Sequence, residues 1–234
     1  MLCLHGFTGS PVSMRPLAER FAEAGLSVEL PRLPGHGTTI EDMVPTRFAD
    51  WLEAAEAAYQ DLAMRAEVRA ICGLSMGGAL ALALAQRHPE IAALVLINPL
   101  LVVPGAADRA GIAEAIEAGI ETIDAPGSDI AIADPPVLAY DHVPLAAVLS
   151  LFEGVDQVLE GLEQVRCPSL LLSSRQDHVV DPMSGEHLVA RSAGPVRRVF
   201  LERSFHVATV DYDQPLIEAE ALAFTTAHLA EVAP

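Results

Sequence analysis

The feature that most constrains this chain is an alternation. Short, largely apolar, strand-like runs at residues 2–4, 26–30, 68–72, 92–97, 169–173 and 196–201 are separated by helical patterns. Strands without a polar side must be covered on both faces, which a parallel sheet flanked by helices achieves. Helices are expected at 10–23, where Ser10-Pro11 reads as cap and first turn and Gly25 as the stop, and at about 48–66, 76–88, 183–191 and 214–230. The expectation is an α/β fold with a mainly parallel, doubly wound sheet of about six strands.

One interval breaks the rhythm. Residues 104–166 separate two strands that a single helix would join. Gly105, Gly111, Gly119, Pro126, Gly127, Pro135, Pro136 and Pro144 are expected to break this interval into short helical pieces. An irregular crossover is one reading. Its apolar composition favours the other, a small cap (104–166) over the C-terminal strand ends of a core formed by 1–103 and 167–234.

Composition narrows the function. A chain of 234 residues, 51% hydrophobic, supports one large core. The 14 basic and 32 acidic residues leave a formal charge of -18, which repels nucleic-acid phosphates and anionic lipid, so no nucleic-acid partner is expected. The longest apolar stretch, 91–103, is interrupted by Asn98 and Pro99 and falls short of the roughly 20 residues of a membrane span. No charged and then apolar leader follows Met1. These features read as a soluble, cytoplasmic protein without stable membrane insertion. Cys3, Cys72 and Cys167, odd in number and beside apolar runs, suit reduced thiols, and no CxxC or paired-histidine spacing marks a metal site. Oligomeric state leaves no signature.

The chemistry concentrates in three loops. Gly73-Leu74-Ser75-Met76-Gly77-Gly78 follows an apolar run and opens a helix. A serine on such a tight strand-to-helix turn is strained, and small residues two positions either side let neighbouring backbone pass. The helix start brings the Met76 N–H and a partial positive charge close to any oxyanion. His5-Gly6-Phe7-Thr8-Gly9 follows the first strand, and the Phe7 N–H is assigned as the second oxyanion donor, with His5 bracing the loop. A serine nucleophile needs a base and usually a carboxylate. Asp177 follows the run 169–173 and His206 follows 196–201, so both lie at the same sheet edge as Ser75. His178 is a rival base, but it shares a short loop with Asp177 and is poorly placed between that acid and the serine. Asp181 directly precedes Pro182 and reads as a helix cap rather than as the acid. Phe7, Leu100, Leu149 and Leu151 are candidates for substrate binding; Phe7, Met76, Leu100 and the apolar insertion serve equally as acyl pocket or as plain core.

HGFTGSP, LPRLPGHG, GLSMGG, SSRQDHVVDP and SFHVATVDYD, in this order and spacing, resemble the α/β-hydrolase superfamily over nearly the whole chain. The likeness is greatest to bacterial carboxylesterases of the monoacylglycerol-lipase type. It implies an α/β-hydrolase fold with a small helical cap before the acid-bearing strand, and the Pro34-Gly35-His36-Gly37 turn as a structural signature. It also implies hydrolysis of small-molecule carboxylic esters through an acyl-enzyme, without a cofactor. Strands that usually precede the oxyanion loop in the superfamily are absent here, so that either they are dispensable or the true start lies upstream of Met1. Thioesterase, perhydrolase and carbon-carbon bond hydrolase activities use the same triad. A non-catalytic ligand-binding homologue usually lacks a triad member, and none is missing here. Dehalogenases and epoxide hydrolases of this fold carry aspartate where Ser75 stands.

Overall fold

A computed structural model describes residues 1–67, 69–125 and 127–232. Val68, at the start of an expected strand, and Pro126, in the expected cap, lie outside the described residues. In chain order the elements begin with β1 (Leu2–Leu4), α1 (Arg15–Glu23), α2 (Ile40–Met43), α3 (Phe48–Ala63), β2 (Ala70–Leu74), α4 (Met76–Arg87) and β3 (Ala93–Ile97). After α5 (Ala106–Glu117), β4 (Thr122–Asp124), β5 (His142–Pro144) and α6 (Leu145–Glu160) come β6 (Ser169–Ser174), α7 (Met183–Arg191), β7 (Val196–Leu201) and α8 (Gln214–Val232).

Five strands form one parallel sheet in the order β1-β2-β3-β6-β7. The sixth expected strand, 26–30, makes a single parallel bridge from Glu29 to Leu2. Glu29 N–H donates to Met1 O and Cys3 N–H to Glu29 O. The next rung of that ladder falls to Pro31, which has no N–H to give, so pairing stops there. A second expectation is also modified: no continuous helix starts at Ser10. A 3-10 turn, Pro11–Ser13, precedes α1, because Pro16 cannot donate to the carbonyl of Val12 and the α-helix must begin afresh.

Successive strand residues serve opposite faces. Leu94 and Leu96 of β3 join Leu2, Leu4, Ile71 and Leu171 against α3, α4 and α6. Ala93, Val95 and Ile97 join Cys3, Cys72 and Leu172 against α1 and α8. Two apolar layers therefore enclose β1, β2, β3 and β6, whose residues are all buried, while the edge strand β7 is partly exposed and carries Arg197 and Arg198.

Between β3 and β6 lie α5, the antiparallel pair β4 and β5, and α6. The helices here are longer than expected. Gly111 and Gly154 sit inside them, since a helical glycine costs only about 1 kcal/mol relative to alanine. At Gly154 the missing side chain has a use: a Cβ would lie 2.2 Å from the Phe48 ring, so the glycine lets α6 close on α3. Pro135 and Pro136 stand in the loop between β4 and β5.

Chain direction across the sheet reverses at β1. The Glu29 stretch lies on its outer side and β2 on its inner side, so the loops leaving the C-terminal ends of β1 and β2 diverge. The crevice between them is where open α/β sheets bind ligands. Among the described residues no helix is long and apolar enough to cross a membrane.

Candidate active site

Ser75 joins β2 to α4 with φ 55° and ψ -118°, a left-handed conformation that only a forced turn imposes on serine. What forces it is close packing of backbone. A Cβ on Gly73 would lie 2.2 Å from the Gly77 carbonyl oxygen, and one on Gly77 would lie 2.2 Å from that of Leu4. Thr8 and Asn98 share positive φ, so three of the four non-glycine residues with this strain among the described residues surround one site.

The loop after β1 runs beside the serine: a Cβ on Gly6 would lie 3.4 Å from the Ser75 Cβ. Neither the Phe7 N–H nor the Met76 N–H has a protein acceptor among the described residues, so both are available to a developing oxyanion. His5 braces this loop through both ring nitrogens. Its Nε2 accepts from the Leu33 N–H at 3.2 Å, which leaves the proton on Nδ1 to be donated to the Gly6 carbonyl at 3.0 Å. Burial lowers the pKa of His5 to about 3 and that of His36, packed against it, to about 4, so both rings stay neutral and His5 keeps its acceptor.

Asp177 and His206 meet across two loops. His206 Nδ1–H donates to Asp177 Oδ2 at 2.8 Å, and both side chains are buried. The other Asp177 oxygen accepts the N–H groups of Val179 and Val180, each at 2.8 Å, which fixes the carboxylate in place. With Nδ1 protonated, His206 presents an unprotonated Nε2. His178 turns away instead: its ring is mostly exposed, packs edge-on against Phe205 and donates to Asp129. Asp181 accepts from the Met183 N–H at 2.8 Å, at the start of α7.

Ser75 and His206 open on the same cavity of about 340 Å³. Phe7 and Leu100 line it, as does Leu151, together with Val148 and Phe152. Leu149 does not. Val148, Leu151 and Phe152 form one face of α6 at i, i+3 and i+4, and Leu149 is rotated about 100° from it. The side chain of Met76 is wholly buried in the core, leaving only its amide for the site.

Residues 1–213 match the Hydrolase_4 family model, described as serine aminopeptidase, S33. The chain belongs to this α/β-hydrolase family. It is 42% identical over 232 residues to a thermostable monoacylglycerol lipase of Bacillus sp. (strain H-257), covering 97% of this chain and 90% of that one. A carboxylesterase of Bacillus subtilis (strain 168) is 23% identical over 96% of this chain and 91% of its own length. Among solved structures, one reported for the metagenome-derived lipolytic enzymes LipS and LipT superposes with a TM-score of 0.92 at 41% identity, over 97% of this chain and 93% of that one.

Sequence reasoning missed the groups that hold the histidine of this S33 family member. Four successive main-chain N–H groups in the loop after β7 each donate to a carboxylate: Arg203 and Ser204 to Asp213, Phe205 to Asp211, and His206 to Asp129. The buried Asn98 at the end of β3 donates from Nδ2 to the His206 carbonyl at 2.8 Å, and its Oδ1 accepts the Ser174 N–H at 2.7 Å. Asn98 and Pro99 break a long apolar run, a visible signal that a strand ends there for a reason. Asp129 has no comparable local signal, being 49 and 77 residues from its partners.

Proposed function

We propose that this chain is a serine hydrolase of carboxylic esters, of the monoacylglycerol-lipase and carboxylesterase type, working through an acyl-enzyme. The observation that carries the reading is a strained serine and a buried, carboxylate-paired histidine opening on one cavity. In this mechanism the Ser75 hydroxyl attacks the ester carbonyl while His206 Nε2 takes its proton. Asp177 stabilises the imidazolium from the Nδ1 side. The N–H groups of Phe7 and Met76 donate to the oxygen that gains charge, a contribution worth roughly 10² to 10³ in rate per donor. Collapse of the tetrahedral intermediate transfers the proton from His206 to the leaving alcohol. Water, deprotonated by the same histidine, then releases the acid and restores Ser75.

In this reading residues 104–166 act as a cap on the core formed by 1–103 and 167–234, and α6 gives the acyl pocket its apolar wall through Val148, Leu151 and Phe152. The chain's unbridged cysteines agree with work in a reducing cytoplasm. An amide substrate with a free amine, which the family description brings to mind, fits less well. Asp129 is the one acidic side chain among the described residues lining the cavity, and its oxygens already accept from His178 and His206. Among the described residues no other carboxylate lines the cavity to hold a substrate ammonium.

A substrate panel tests this choice. Monoacylglycerols and p-nitrophenyl esters of increasing chain length are expected to be hydrolysed, and aminoacyl p-nitroanilides at least about a hundredfold more slowly. Leu151→Ala should move the preferred acyl chain to greater length. Preferential cleavage of the anilides would overturn the esterase reading.

A further inference from the structure

Asp129 belongs to the segment between β4 and β5, outside the elements that carry Ser75, Asp177 and His206. Its carboxylate nevertheless touches both loops of the acid-base pair. Oδ2 accepts the main-chain N–H of His178 at 3.1 Å and that of His206 at 3.1 Å. Oδ1 accepts from His178 Nδ1 at 2.8 Å, and the Asp129 carbonyl accepts the Val207 N–H at 3.0 Å. The side chain is only 17% exposed, so these contacts take the place of most of its hydration.

We propose that Asp129 is a positioning residue that sets the distance between the acid loop and the base loop, and so holds His206 in line with Asp177. The proposal rests on the assignment of Ser75, His206 and Asp177 made above. One oxygen held between the amides of 178 and 206 ties the residue next to Asp177 directly to His206. Asp211 and Asp213 grip the base loop but make no bond to the acid loop among the described residues. Asn98 ties the base loop to Ser174, the last residue of β6, and not to the segment that carries Asp177. Without Asp129 the two loops lose their common acceptor. A shift of about 1 Å between a base and its partner is enough to cost around a hundredfold in rate.

The role predicts a split between kinetic constants. With p-nitrophenyl acetate, Asp129→Ala should lower kcat by roughly 10- to 100-fold at nearly constant KM, and slow phosphonylation of Ser75 by a similar factor. Asp129→Asn keeps an oxygen able to accept both amides and should restore most of the loss. Should the alanine variant fail to fold, Asp129→Ser, too short to span the loops, carries the same test. A kcat within about twofold of the parent, or a rise in KM at constant kcat, would overturn the proposal. Failure of the asparagine to rescue would overturn it too, by making charge and not span the operative property. Ser75→Ala run alongside separates the two levels: residual turnover there would sink the triad assignment itself, whereas an inactive Ser75→Ala beside a fully active Asp129→Ala would sink only the positioning role.

Discussion

At the elbow, Ser75 is held by backbone packed against backbone; at the base loop, His206 is held by side-chain hydrogen bonds, from Asp211 and Asp213 a few residues on and from Asn98 and Asp129 far along the chain. The elbow needs Gly73 and Gly77 because carbonyl groups occupy the space their Cβ atoms would fill. The loop carrying His206 holds no glycine and, among the described residues, none of positive φ. Its main-chain amides at 203–206 are satisfied one by one, by Asp213, Asp211 and Asp129. A nucleophile must be strained to stand clear of the sheet, and only rigid neighbours store strain. A base must keep its hydrogen-bonding direction while its charge changes, and fixed acceptors around its loop provide that without distorting it.

Substitutions at the two places should therefore fail differently. Gly77→Ala is expected to have the largest effect, because a 2.2 Å approach to the Leu4 carbonyl cannot be relieved by a rotamer change and separates α4 from β1. A loss above about 4 kcal/mol, seen as insoluble or unfolded protein, is the expected outcome. A folded Gly77→Ala with native melting behaviour would show that the elbow is softer than described. Asp211→Ala should be milder. It leaves the N–H groups of Phe205 and Ala131 without their acceptor, at a cost of about 3 kcal/mol, or a fall in Tm of roughly 6–12 °C. The protein should still fold, since the neighbouring carboxylates remain. An Asp211 variant as damaging as Gly77→Ala would mean that the base loop, like the elbow, fails as one unit.

The same contrast explains how much was legible beforehand. The residue types that mark the elbow lie within Gly73 to Gly78, although the carbonyl that crowds Gly77 belongs to Leu4, and the strand before it and helix after it were readable from apolar runs and spacing. The sheet, its doubly wound helices and the placing of Ser75, Asp177 and His206 at one sheet edge followed from equally local patterns. The sixth strand was over-read, although Pro31 stood in plain view where the ladder ends. Leu149 was misplaced because the phase of a helix is fixed only when its start is known, and α6 begins after a hairpin that no spacing announced. Asp129 was invisible for a different reason. An aspartate that accepts a distant amide looks, in sequence, like any aspartate on the surface of an acidic protein. Spacing encodes neighbours along the chain; it carries nothing about groups brought together by the folding of an insertion.

The central claim is that Ser75 is the activated nucleophile. Treatment of the folded protein with a fluorophosphonate, followed by peptide mass mapping, tests it most directly. A single adduct on Ser75, abolished in Ser75→Ala and strongly slowed in Asp177→Asn, is the predicted result. An adduct on another residue, or none on protein that remains folded, would contradict it.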